Sequence, residues 1–321
     1  MTTRKQKTQN TKLSGVPASA LKKPLEEKIN KDKLQKFREL LAKKNGSEEV
    51  TRMVSQSPEE IPLVAQLLSD KHPFVPPAAM DVLKRAVLNE TSRDIALDCL
   101  SDALENEKSN VQDKIALLLG AAAKGGVDIS QAIPMLVKAL AQEGENLRLH
   151  LEFALIDASV NKFSGPLTIF SMIKALTDDN DHIRSSATVV LLNSANLKVD
   201  ISAAIPELKK ALSDPNSMVR FNSAWALVIA DAEDGNFLAI GELTRAFTDQ
   251  ILSQKCVDAL TMAVEKGSRK TRVAITKAII NLMNSHEFMV EAEKNSDRYL
   301  RTIKEIDQLA RQIDELEKQA A

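Results

Sequence analysis

The chain has little of what strands, tight turns and cross-links require. Its 321 residues hold 10 Gly, 11 Pro, 9 Phe, 1 Trp and 1 Tyr. All-β sandwiches and barrels lean on Gly and Pro turns and on aromatic, β-branched strands, so that class is excluded. Two Cys exclude a disulfide scaffold and a cysteine-based zinc finger, and they fit a reducing compartment. No stretch approaches 18 apolar residues without a charge, so no transmembrane helix is expected. The first residues lack the apolar core of a secretory signal. Together these features predict a soluble, cytoplasmic protein.

Motifs for catalysis are also missing. His72, His150, His182 and His286 form no i,i+4 pair, and no HExxH occurs. There is no phosphate-cradling GxGxxG loop and no GxSxG elbow. Cys99 falls on an apolar helix face and Cys256 in a weakly patterned stretch; both read as core thiols. The chain is therefore expected not to be an enzyme. No catalytic residue, cofactor or metal ligand is assigned.

What is abundant is Ala, Leu, Lys and Glu, a composition that predicts an all-α protein. The formal net charge of −1 is a cancellation. Residues 1–44 carry thirteen Lys and Arg against four acids, a net +9, which leaves −10 for residues 45–321. Residues 1–24 contain no acid and few large apolar groups, so residues 1–30 are expected to form a disordered basic arm. Such an arm suits nucleic acid, acidic lipid, an acidic protein face or its own acidic body, and equally a solubilising tail.

Helical spacing begins near Asp32 with Leu34, Phe37, Leu40 and Leu41, and Gly46 ends that run. Two capping helices are expected over 31–56. Ser57-Pro58-Glu59-Glu60 then predicts a capped start, with Glu60 closing a capping box. From there the chain repeats. The block Ile133 to Leu140 recurs as Ile169 to Leu176 and as Ile205 to Leu212, a step of 36 residues. Val75, Val111, Leu147, Ile183 and Val219 keep the same step, as do Leu83, Leu119, Leu155, Leu191 and Leu227. Each unit thus predicts two apolar-periodic helices of about three turns. One such pair cannot bury both inner faces, so units must stack.

On these residues the chain resembles a HEAT-repeat protein, of the HEAT-like or armadillo-type class. The match rests on Pro62, Pro134 and Pro206 in first helices and on Asp178 and Asp214 in the turns. It also rests on the pairs Leu147-Arg148, Ile183-Arg184 and Val219-Arg220 opening second helices. The resemblance implies a right-handed α–α superhelix of about six units over 57–267. It also implies a protein-interaction scaffold that takes a peptide or helix in its concave groove. The alternative is a nucleic-acid-associated protein that uses the basic N-terminal arm and the basic stretch 266–277; a third reading, from the enzyme class, is a bilin lyase or DNA glycosylase, some of which share the architecture. The Asp and Arg positions are expected to ladder neighbouring units together. Residues 268–321 read as a capping helix followed by a long charged helix. Its three heptads suit either a coiled coil, with self-association, or packing onto the repeats.

Two surfaces are candidates for binding. Positions two and six after each second-helix start share a face, which aligns Leu117, Leu149, Phe153, Val189, Phe221 and Trp225 in an apolar stripe, with His150 and Asn222 beside it. The other is the acid-free basic stretch Lys266, Arg269, Lys270, Arg272 and Lys277, which with the arm could meet a nucleic-acid backbone.

Overall fold

In a computed structural model, the described residues are 18–106, 109–142, 144–230, 236–245, 259–261, 264 and 269–283, with five single positions beyond. No strand occurs among them. The chain divides into two compact units, Met1–Ile95 and Ala96–Ala321.

In the first unit, α1 spans Ala18–Leu41, α2 Gly46–Gln56, α3 Ile61–Ala65 and α4 Val75–Leu88. Helix α1 begins well before Asp32, inside the segment expected to be disordered. Ala, Leu, Lys and Glu residues there are strong helix formers, and they extend the helix without needing apolar periodicity. Residues 1–17 lie outside the described residues. The core is Phe37, Leu41, Val50, Val54, Ile61, Val75 and Leu83, all buried. The capping box is not formed. Pro58–Glu60 winds as a 3-10 turn, Ser57 makes no side-chain cap, and its C=O accepts the Glu60 N–H at 3.0 Å. The Glu60 carboxylate pairs with Lys33 instead. Arg38 Nε donates to Asp70 Oδ2 at 2.7 Å, and Asp70 Oδ1 accepts the His72 N–H.

The second unit takes in most of α5 (Arg93–Asn106). It continues through α6 (Ser109–Lys124), α7 (Ile133–Ala139), α8 (Glu145–Val160), α9 (Gly165–Ala175), α10 (Asp181–Asn196), α11 (Ile205–Ala211), α12 (Ser217–Ile229), α13 (Asn236–Arg245) and α14 (Arg269–Met283). Each second helix packs on the next, α6 on α8, α8 on α10 and α10 on α12, while first helices α7 and α9 pack on each other. This is a helical-repeat solenoid, as the 36-residue step predicts. Leu119, Leu155, Leu191 and Leu227 are all fully buried, and Val111, Leu147, Ile183 and Val219 nearly so. At one crossing the backbones nearly touch: a Cβ on Gly120 would lie 3.0 Å from Ala154 Cα. Glycine is required there for close approach rather than for its dihedral freedom.

Two rungs of the expected ladder are formed, by Arg184 and Arg220, while Arg148 acts on Glu152 of its own helix. Arg184 reaches into the next unit, with Nε and Nη2 on Asp214 at 2.7 and 3.2 Å, while Nη1 donates to the C=O of Asp178 and Asp179. Arg220 repeats the pattern one unit on, with Nε on Glu242 and Nη1 on the C=O of Asp214 and Pro215. Asn180 and Asn216 cap α10 and α12 by accepting N–H groups of the first turn. The Asp214 carboxylate accepts the Asn216 N–H at 2.8 Å, so the ion pair and the cap share one turn.

Removing one member of a largely desolvated pair strands the other. The side chains of Arg184 and Asp214 are 13% and 9% exposed. Arg184→Ala should therefore cost about 3 kcal/mol in thermal unfolding followed by circular dichroism. The half-exposed pair Arg85–Asp81 supplies the control, since Arg85→Ala should cost less than about 1 kcal/mol.

Candidate functional site

The stripe expected on the second helices divides into an open half and a closed half. On α6 and α8, Leu117, Leu149 and Phe153 are 49%, 45% and 51% exposed. Leu149 and Phe153 are one turn apart on α8. Between the helices, His150 Nδ1 lies 3.2 Å from Asp113 Oδ1. Asp113 is one turn before Leu117, so this polar link sits beside the apolar residues.

On α10 and α12 the register closes. Val189 and Trp225 are half-buried, and Phe221 and Asn222 are buried. Phe221 and Asn222 are thus corrections to the sequence-based surface: they are interior residues. Trp225 meets Phe221 edge-on, with ring centroids 5.7 Å apart, and its Nε1 points into the interior without an acceptor. Asn222 Nδ2 donates to Thr188 Oγ1 at 3.3 Å, inside the α10–α12 contact. The physical reason is local: the Trp225 ring packs on Phe221, Asn222 is engaged by Thr188 of α10, and Arg220–Glu242 holds α13 against α12.

Two carboxyl groups lie beneath the stripe. Burial pushes Glu152 above the ordinary glutamate range, partly offset by the Ser186 hydroxyl, which donates to Oε1 at 2.6 Å, and by Arg148. Burial likewise raises Asp157, with Lys124 opposing. Both groups sit between repeats. Burial, with the Asp102 and Asp98 carboxylates, pushes the Cys99 thiol up to about 11, which makes it a poor nucleophile at neutral pH.

In the basic stretch, Arg269 and Lys270 open α14, Arg272 is half-buried and Lys277 is exposed. Lys266, Cys256 and nearly all of 286–321 lie outside the described residues. Among the described residues, no group of three or more His, Cys, Asp or Glu could hold a metal ion. No described helix is long and apolar enough to cross a membrane.

A different apolar group escapes sequence reasoning. Phe163, Leu167 and Phe170 are exposed in and just before the first helix α9. Their signal is that α9 is apolar nearly all round, whereas an amphipathic surface helix has one polar face.

Comparison with known proteins agrees with the helical-repeat reading. Residues 204–229 match the family model described as HEAT repeat, so the α11–α12 pair is a HEAT repeat. No curated protein matches the chain. Among solved structures, an engineered protein aligns over 86% of this chain and 82% of its own at 17% identity, with a TM-score of 0.41. A designed armadillo repeat protein aligns over 61% and 92% at 20% identity, with a TM-score of 0.33. Another, solved in complex with the peptide (KR)4, aligns over 62% and 92% at 18% identity, with a TM-score of 0.34.

The sign of the Glu152 effect is fixed by its raised pKa. The folded state holds this proton more tightly than the unfolded state, so stability falls as pH rises through the interval between the two pKa values. Glu152→Gln keeps an acceptor for Ser186 and removes the charge. The variant should melt higher than the parent at pH 7, and the gain should vanish in acid below the ordinary glutamate pKa.

Proposed function

We propose that the chain is a noncatalytic interaction scaffold that holds a helix or peptide of a protein partner across the second helices of α6 and α8. The observation that carries this reading is the exposure of Leu117, Leu149 and Phe153 on two helices that pack against each other. Exposed large apolar groups brought together on a folded surface gain most from being covered. The Asp113–His150 pair supplies a polar edge, the arrangement common to protein interfaces. Val189, half-buried on α10, borders the surface. Phe221, Asn222 and Trp225 act behind it, by packing α12.

Leu149→Ser combined with Phe153→Ser should leave the melting temperature unchanged. It should weaken capture of a protein partner by affinity purification and mass spectrometry, with a loss of roughly 2 kcal/mol or more if these are anchor residues. Trp225→Ala should instead lower the melting temperature. Undiminished capture by the double serine variant would sink the proposal.

A further inference from the structure

Residues 158–177 form an anomaly in an acidic body. Only two of these twenty residues are charged, and both are lysines, Lys162 and Lys174. Between them stand Phe163, Leu167 and Phe170, exposed by 52%, 36% and 52%. Leu167 is four residues after Phe163 and three before Phe170, the spacing of one helical ridge. The lysines fold over its ends: Lys162 Nζ lies 4.6 Å from the Phe163 ring centroid and Lys174 Nζ 4.5 Å from that of Phe170.

The ridge is held rigidly. Asn161 is buried, and its amide donates to the C=O of Ala123 and of Val127 in the preceding unit, at 2.8 and 2.9 Å. Its Oδ1 accepts the N–H of Phe163 at 2.8 Å and that of Ser164. Gly165 N–H donates to Asn161 C=O, so the turn is already wound like the helix it leads into. A Cβ on Gly165 would come within 2.5 Å of Ser159 O, so the turn closes only because this residue is glycine. Two phenylalanines are thus pinned outward on a preorganised support.

We propose that this α9 ridge is a second docking surface, and that its occupant is an amphipathic helix of a protein partner whose apolar seam is bracketed by carboxylates. The charge pattern selects this occupant. A second copy of the chain would bring lysine against lysine whichever way the two α9 helices ran. An anionic membrane would attract two ammonium groups and the net +9 of residues 1–44 but repel the remainder that carries the ridge, which has a net −10 over residues 45–321. Carboxylates at both ends of a seam complement the two lysines. Lys162 stands in the turn before α9 and Lys174 in its last turn, so the acids would stand at the two ends of the partner's seam. The chain is then bivalent, with one surface on α6 and α8 and another on a first helix. The α9 ridge binds its helix whether or not the first surface is occupied.

The experiment uses the full chain and a fluorescent helical peptide with a Leu–Leu–Phe seam between two Glu. A twin peptide carries Lys in place of each Glu. Fluorescence anisotropy should show binding of the Glu peptide, weaker in high salt, and roughly tenfold weaker binding of the Lys twin. Lys162→Glu with Lys174→Glu should reverse that preference. Phe163→Ser with Phe170→Ser should abolish binding of both peptides, with the circular dichroism and melting temperature of the parent. Hydroxyl-radical footprinting should find Phe163 and Phe170 reactive in the free protein and protected by the Glu peptide. Three results would overturn the proposal: no difference between the peptides, protection of the two phenylalanines in free protein, or phenylalanine-dependent sedimentation with phosphatidylserine vesicles. Protection that disappears on dilution would assign the ridge to a second copy; protection at every concentration would assign it to the chain's own remaining segments.

Discussion

A pair of three-turn helices has more apolar surface than its two members can hide from each other. Each helix gives one face to its mate and must give another to the next pair. That single constraint organises the second compact unit. It explains why Leu119, Leu155, Leu191 and Leu227 recur at a step of 36 and are all fully buried. It explains why Gly120 stands against Ala154, where even a methyl group would press on a neighbouring backbone. It also explains the composition. Close stacking favours Ala and Leu, and no strand occurs among the described residues to need aromatic partners.

Apolar faces alone would let units slide along one another. The contacts between successive second helices carry a few polar pairs that oppose such slippage. Ser194 Oγ donates to Ser159 Oγ at 2.7 Å, Ser186 to Glu152, and Asn222 to Thr188, each joining residues about one repeat apart. Buried polar groups without partners are costly, so each pair penalises any other register. The Arg184 and Arg220 forks do the same at the turns, where they also donate to backbone carbonyls of the turn residues themselves.

The repeat was legible because burial imposes a period, and the period survives in the identities of Leu and Val. The ladder was legible for the same reason: Arg184 and Arg220 occupy one register position. The openness of the stripe was not. Leu149 and Phe221 hold the same register position, yet one is exposed and the other buried, because Phe221 has the Trp225 ring against it where Leu149 has the exposed Phe153. The ridge at Phe163, Leu167 and Phe170 was missed for a related reason. Apolar residues on every side of a short helix look like interior sequence, and Ile169 and Met172 of the same helix are indeed buried. The start of α1 at Ala18 shows the converse, a helix carried by intrinsic preference where no apolar period announces it. At Ser57 the motif was present and the hydrogen bond was not, since Lys33 claims the Glu60 carboxylate.

The ladder also has a direction. Arg184 reaches forward to an acid of the following unit, and Arg220 does likewise, though the acid it finds is Glu242 rather than an aspartate. Every joint of this kind has the same two halves, a guanidinium on the earlier side and a carboxylate on the later. Excising one unit, or copying it, leaves each remaining guanidinium facing a carboxylate of the same polarity. At joints of this kind a unit can be gained or lost without a change in the pairing chemistry. A scaffold built in this way can change its reach by gene duplication, while the chemistry that binds its parts stays untouched.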